Sequence, residues 1–442
     1  MNKMIKYVMS LLMVMTLCLP NMQAQIVKNQ GNQDVLLNDA NPEQDEEVVE
    51  DSDDSDVADS TMVETIAANT LRLPWTETVK VGLDKLLKSK MFETSQVGIM
   101  VWDLEADSCI YRFRERQLMR PASTMKLVTA ITALDKLGGS YQFKTTLKYT
   151  GTIDNGVLKG DVYCIGGMDP RFNNDDMTAF VTSLKDMGVD SIQGSIYADR
   201  SMKDEDLLGE GWCWDDDNPV LSPLVFGRKD IFMERFLAKL KDAGIFYAGS
   251  GTSVKRCPAS AFTICTRFHT MDQILHKMMK DSDNLYAESM YYQIASSTGN
   301  RPASAKSARN VQRQLVRKIG LDPARYKFAD GSGLSLYNYV SAELEVKLLR
   351  YAYQDENILP HLKQSLPIAG VDGTLKRRMR SGFAHGNVKA KTGTVTGVIG
   401  LAGYCKAANG HDLCFSILNN GIMHSNNARS FADKVCELLC EP

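Results

Sequence analysis

Arg120-Pro121-Ala122-Ser123-Thr124-Met125-Lys126, running on through Leu127 to Leu137 and ending at Gly138-Gly139, is the stretch that decides the reading of this chain. Proline suits the first turn of a helix and glycine its exit, so a helix is expected between them. Leu127, Ala130, Ile131, Leu134 and Leu137 recur at helical spacing and give it a broad apolar face. Ser123 and Lys126, three residues apart, share one side of its first turn. Burial would lower the lysine pKa, and the neutral amine can then take the serine hydroxyl proton. Lowering it by about 3 units costs roughly 4 kcal/mol, which the folded site must supply. The helix N-terminus adds unpaired N–H donors where negative charge would develop. Ser-x-x-Lys alone is a common pattern, and an isolated copy reads better as a solvated helix start.

Composition sets the class. The chain has 442 residues, enough for one large core and a second, smaller one, and is 44% apolar and 24% charged. A net charge of −3 with no basic block argues against nucleic acid as a partner. Residues 1–24 read as a secretory signal: Lys3 and Lys6, an apolar stretch over 7–19, and Met22-Gln23-Ala24 as cleavage site. Cys18 leaves a lipid-anchored form open, although Leu17 is bulkier than such sites usually accept. No later stretch is apolar enough to cross a bilayer, which leaves at most a loose membrane association. Residues 25–70 hold an acidic run from Glu43 to Asp56, read as a solvated disordered linker with an acidic docking arm as the alternative. Ten cysteines, nine after signal removal, leave at least one thiol unpaired within the chain. Cys257 and Cys265 could close a short loop, whereas Cys436 and Cys440 are badly spaced for a bond within one helix. Without a Cys-x-x-Cys, and with six scattered histidines, no metal or other cofactor is expected.

In order, the pattern predicts a helix over 76–87 and strands over 96–103 and 108–113. Residues 143–257 change texture, with strands at 144–149 and 160–165 flanking an Asn155-Gly156 turn. Residues 180–189 echo 236–245, each a helix ending in glycine before an apolar strand. Helices follow over 271–279 and 285–295, separated by Ser282-Asp283-Asn284. A glycine-bearing loop, Asp330-Gly-Ser-Gly-Leu-Ser335, precedes a closing sheet opened by Lys389-Ala-Lys391-Thr392-Gly393 and a helix over 427–439.

Ser-x-x-Lys, Ser-Asp-Asn and Lys-Thr-Gly thus stand in order on a helix start, an inter-helix loop and a strand, the signature of penicillin-binding proteins and class A β-lactamases. With Gly167-Met168-Asp169-Pro170, Gly211-Trp-Cys-Trp-Asp215, Asp330 to Ser335 and Leu366-Pro-Ile-Ala-Gly-Val-Asp-Gly-Thr-Leu375, the chain resembles the D-alanyl-D-alanine carboxypeptidase/endopeptidases of the penicillin-binding protein 4 type, low-molecular-mass class C, peptidase family S13. The resemblance implies an α/β fold. Its β-lactamase/transpeptidase-like three-layer domain (71–142 and 258–442) has an antiparallel sheet with helices on both faces and a helical cluster. A smaller α+β domain (143–257) is inserted in it. A third domain, nested in the second in such relatives, has no room here, because Leu221 to Arg228 passes almost directly to Lys229.

By that resemblance Ser123 is the nucleophile and Lys126 its base, and the N–H groups of Ser123 and Thr394 receive the oxyanion. Ser282 relays a proton to the leaving amine and Asn284 holds the acyl-side amide. Lys391 and Thr392 suit a terminal carboxylate, while Gly393 lets substrate backbone lie along the strand. Asp169 is either a turn residue or a contact to the free amine of a diamino acid, and Arg378 either a substrate contact or part of a solvated basic stretch. Asp330 and Ser332 shape their loop, and His269 and His276 are helix-surface or packing residues. Expected partners are peptidoglycan stem peptides and, as covalent inhibitors, β-lactams. The expected form is a secreted, periplasmic monomer or weak homodimer. A β-lactamase and an inert wall-binding protein of the same fold are the competing functions. No Gly-x-Ser-x-Gly elbow or Ser-His-Asp triad offers another.

Overall fold

The structure, a computed structural model, describes residues 74–213, 216, 218–249 and 253–442. The signal, the acidic segment and Cys18 lie outside them. Helix α1 (Trp75–Leu86) leads into β1 (Gln96–Asp103) and β2 (Ser108–Phe113), an antiparallel pair whose connecting turn is held by Asp103, which accepts from the N–H groups of Glu105 and Ala106. A 3-10 turn, Ala122–Thr124, then carries the chain into α2 (Met125–Leu137). The expected apolar stripe is wider than the spacing suggests, since every residue from Met125 to Leu134 is buried. A helix surrounded on all sides must satisfy its own polar groups. Thr129 donates to Gly331 O at 2.7 Å, and Thr132 to Val128 O at 2.6 Å.

The segment of different texture builds two sheets, completed by a strand beyond residue 257, from β3 (Gln142–Tyr149), β4 (Thr152–Asp154), β5 (Val157–Lys159), β6 (Val162–Ile165), α3 (Asn174–Asp186), β7 (Ser191–Ile192), β8 (Ile196–Asp199), α4 (Phe232–Asp242), β9 (Phe246–Tyr247), β10 (Ser253–Val254) and that later strand, β11 (Phe262–Thr270). Their orders are β10-β8-β6-β3-β11 and β4-β5-β7-β9. The Asn155-Gly156 turn joins β4 to β5, and that pair continues the antiparallel register of β3 and β6 outward as the tip of the predicted hairpin, where it joins the second sheet. A Cβ on Gly160 would stand 1.8 Å from Thr150 O, a contact only glycine allows. The sequence echo is a structural repeat: α3 and α4 each end at a left-handed glycine, Gly188 and Gly244, and the strands that follow, β7 and β9, pair in parallel. Phe180, Leu184, Phe236 and Leu240 fill the core between them. Cys257 and Cys265 do not form the short-loop disulfide allowed by their spacing, and all nine described cysteines are free. Cys265 lies instead at an irregularity in β11 and packs against that core.

The chain then returns through α5 (Met271–Lys280), α6 (Asn284–Ser296), α7 (Ala305–Lys318), α8 (Ala342–Tyr353), α9 (Leu359–Ser365), β12 (Lys389–Val395), β13 (Val398–Lys406), β14 (Asp412–Asn420) and α10 (Ser425–Cys440). The final sheet runs β12-β13-β14-β1-β2, antiparallel throughout, so early strands pair with late ones. One face packs on the helical cluster that contains α2, α5, α6 and α8, and the other on α1 and α10. These are the three layers expected.

Arg378 is anchored within the fold. Its guanidinium makes bonds of 3.0 and 2.6 Å to Asp433 Oδ1 and also reaches Arg429 O, all on α10. Glu437 on the same helix accepts from Phe383 N and Ala384 N. Arg378 therefore fastens the 376–388 loop to α10. Arg378→Ala should lower folding stability by about 1–2 kcal/mol while leaving penicillin acylation within about twofold of wild type. Denaturant unfolding beside an acylation time course checks this. Slowed acylation at unchanged stability would restore the substrate role.

Candidate active site

Three short segments distant in sequence converge on the nucleophile turn. Ala122, just before Ser123, has φ +48°, and Ser282 has φ +61°, left-handed values that non-glycine residues adopt only where their surroundings hold them. At the turn those surroundings are close. A Cβ on Gly333 would lie 1.8 Å from Ala122 O, one on Gly393 would lie 2.6 Å from Pro121 O, and one on Gly400 would meet Thr124 Cγ2 at 2.9 Å. The 330–335 loop, β12 and β13 thus press directly on the turn, and glycine is what permits it.

Lys126 sits at the centre, fully buried, with three oxygens in reach: Ser123 Oγ at 3.0 Å, Asn284 Oδ1 at 2.7 Å and Ser332 O at 2.9 Å. A neutral amine has two hydrogens and a lone pair. Asn284 Oδ1 and Ser332 O can only accept, so they take the hydrogens, and the lone pair is left for the Ser123 hydroxyl. Burial lowers the Lys126 pKa to about 8, against the charges of Asp330 and Glu288, which favour the ammonium. Lys391 on β12 is also buried and donates to Ser282 Oγ at 2.8 Å and Thr392 O at 2.9 Å. Burial, then the nearby Lys126 charge, holds its pKa well below the ordinary lysine value. Thr392 donates to Thr374 Oγ1 at 2.8 Å, while Thr394 further along the strand is exposed.

The family model described as D-Ala-D-Ala carboxypeptidase 3 (S13) matches residues 79–225 and 222–440. The chain belongs to the S13 family. It is a serine-type D-Ala-D-Ala carboxypeptidase of the penicillin-binding protein 4 type. The chain is 26% identical to D-alanyl-D-alanine carboxypeptidase DacB of Haemophilus influenzae over 419 residues, covering 76% of this chain and 87% of that protein. With the D-alanyl-D-alanine carboxypeptidase of Actinomadura sp. it shares 27% over 446 residues, 79% and 82% of the two chains. Among solved structures, penicillin binding protein 4 from Haemophilus influenzae superposes with a TM-score of 0.74 at 24% identity, covering 80% of this chain and 97% of that one.

Within this S13 carboxypeptidase the structure gathers Ser123, Lys126 and Asn284 in one hydrogen-bonded group and Ser282, Lys391 and Thr392 in another. Asp169 belongs to neither. Its side chain is fully buried, with Oδ1 accepting from Arg171 N at 3.0 Å and Oδ2 lying 2.7 Å from His269 Nδ1. Of the two readings of Asp169, these bonds and its burial support the turn residue. His269 is not on a helix surface but in β11, buried against Asp169. Asp330 shapes its loop as expected, accepting from Gly333 N, Ser335 N, Asn338 Nδ2 and Trp212 Nε1.

Two contributors escaped the motif reading. Glu288, the one charged residue of α6, accepts from Gly331 N at 3.0 Å and Ser332 N at 2.7 Å, and so aims the Ser332 carbonyl at Lys126. Burial and the neighbouring Asp330 lift its pKa to about 8. A lone charge in an otherwise uncharged helix was the available signal. Thr374, beside Thr392, stands on a loop held by Lys280, which donates to Leu366 O and Asp372, and nothing local in its sequence marks it. With the unprotonated amine as the proposed base, acylation by a chromogenic cephalosporin should rise as pH passes upward from 6 toward about 8. Stopped-flow rates from pH 6 to 10 check this. A rate independent of pH would place the base elsewhere.

Proposed function

We propose that this S13 carboxypeptidase removes terminal D-alanine from peptidoglycan stem peptides and cuts their D-alanyl cross-links through an acyl-Ser123 intermediate. The Lys126 geometry carries the reading: the buried amine lies 3.0 Å from Ser123 Oγ, and once deprotonated, with its two hydrogens on Asn284 Oδ1 and Ser332 O, it has a lone pair for that hydroxyl. Ser123 Oγ bonds to the penultimate D-Ala carbonyl carbon as its proton passes to Lys126 Nζ. The resulting ammonium keeps Asn284 Oδ1 and Ser332 O as acceptors. Backbone N–H groups of Ser123 and Thr394 receive the oxyanion. The C–N bond then breaks, and the leaving amine takes a proton through Ser282, whose hydroxyl Lys391 holds. Water completes the cycle by hydrolysing the ester with Lys126 again as base. Thr392, with Thr374 behind it, offers a hydroxyl to the terminal carboxylate, and Gly393 leaves the β12 surface flat for substrate backbone.

The same site supports acylation by β-lactams; the Haemophilus influenzae penicillin binding protein 4, at 25% identity and a TM-score of 0.69, has been solved complexed with a β-lactam. Turnover of penicillin as a β-lactamase is disfavoured, since Glu288 and Glu345, the buried acids near the turn, point to backbone N–H groups and to hydroxyls. An inert binder is disfavoured by the intact Ser123, Lys126, Ser282, Asn284 and Lys391. We place the enzyme outside the cytoplasm, in the periplasm, on the signal-like residues 1–24 and its substrate. Residues 143–257 form its inserted domain, without the nested third domain: the family matches meet at 222–225, and the chain there makes a tight Phe226–Lys229 turn. A monomer or weak homodimer is the expected state.

A fluorescent penicillin should label the wild type and not Ser123→Ala, with both folded by circular dichroism. Persistent labelling of Ser123→Ala would defeat the nucleophile assignment. Thr392→Val should weaken turnover of peptides with a free C-terminal carboxylate by roughly 1.5–3 kcal/mol relative to their amidated analogues, because a charge-assisted hydrogen bond is lost only in the former. Peptide release measured by chromatography checks it, and equal losses for both would reject the carboxylate contact.

A further inference from the structure

Beneath the nucleophile turn lies a glutamate that no step above uses. Glu345, on the first turn of α8, is fully buried. Its neighbours are two buried hydroxyls: Thr124, the residue after the nucleophile, at 2.5 Å from Oε1, and Ser416 of β14, at 2.7 Å from Oε2. Thr124 Oγ1 also lies 2.8 Å from Pro121 O. Among the described residues no cation pairs with Glu345. Lys126 on the adjoining helix is turned to Ser123, Asn284 and Ser332 O, and Glu343 on α8 itself faces Arg116.

The hydrogens can be counted. Three oxygen–oxygen contacts at bonding distance need three hydrogens, and the hydroxyls of Thr124 and Ser416 supply two. Pro121 O has none to give, so the third sits on the carboxyl group. The order that satisfies every atom is Glu345 O–H to Thr124 Oγ1, Thr124 O–H to Pro121 O, and Ser416 O–H to the other Glu345 oxygen. An ionised Glu345 would leave one close oxygen pair with no hydrogen between its members. Burial acts in the same direction, lifting the Glu345 pKa to about 7 against the two hydroxyl bonds that favour the anion.

We propose that Glu345 is a positioning residue that works as the neutral acid, bridging α8 and β14 to the turn that carries Ser123. Its proton fixes the rotamer of Thr124, and Thr124 holds Pro121 O in the turn against which Gly393 packs. The chain Glu345–Thr124–Pro121 therefore sets where the Ser123 hydroxyl and N–H stand relative to Lys126 and β12. The effect on rate rests on the acyl-serine reading; the protonation state does not.

Glu345→Gln tests it, because an amide supplies the same donor to Thr124 and the same acceptor to Ser416. It should acylate with penicillin within about twofold of wild type near pH 6. Glu345→Asp, too short to span, and Thr124→Val, which removes the hydroxyl, should acylate at least about tenfold more slowly, with the noncovalent dissociation constant of penicillin little changed. Folding supplies an arm that uses no acylation. The folded pKa lies above the unfolded one, near about 4.3, so the wild type should lose thermal stability relative to Glu345→Gln as pH rises from about 4 to 7, and level off above. An ionised Glu345 predicts the opposite set: Glu345→Gln as slow as Glu345→Asp or unfolded, and a stability difference independent of pH. Either of these results overturns the assignment. Normal acylation by Thr124→Val overturns the positioning role alone.

Discussion

The site depends on keeping an ammonium-forming group out of water. Lys126 lies on a helix buried on every side, so its amine has no hydration shell, and its partners are an amide oxygen, a backbone carbonyl and the hydroxyl it must activate. A charge there lacks the solvation it would have outside. The fold then sets around that amine ionisable groups whose charged forms burial opposes. Lys391 is held down by burial and by Lys126 itself, while Glu288 and Glu345 are lifted by burial.

This arrangement explains why glycines crowd round the nucleophile. Gly333, Gly393 and Gly400 each stand where a Cβ would strike the 121–124 turn. They let the 330–335 loop and two strands approach closely enough to exclude water from Lys126 and to hold Ala122 in its left-handed conformation. Glu288 acts at one remove, since its carboxyl fixes the loop whose carbonyl takes a Lys126 hydrogen.

Local chemistry was legible in the sequence and distant partnership was not. Ser123 and Lys126 meet because they are neighbours on one turn, and Pro121 and Gly138 bracket the helix by backbone rules that need no tertiary context. The helix–glycine–strand echo could be read for the same reason. Arg378 and Asp169 were open to misreading because their partners, Asp433 and His269, lie 55 and 100 residues away. Thr374 gains its place from Lys280 and Thr392, and Glu345 from Thr124 and Ser416, pairings that no periodicity announces. The Asn155-Gly156 turn was visible, but the close approach at Gly160, where the hairpin tip passes to another sheet, was not.

The measurement that bears most directly on this account is the titration of Lys126 itself, followed by the nitrogen and adjacent carbon shifts of its side chain in lysine-labelled, substrate-free enzyme, with Lys126→Arg used to assign the signal. A midpoint near about 8 is predicted, well below the other lysines. A midpoint in the ordinary range near about 10.4 would mean that the amine is solvated as a cation and cannot be the base for Ser123.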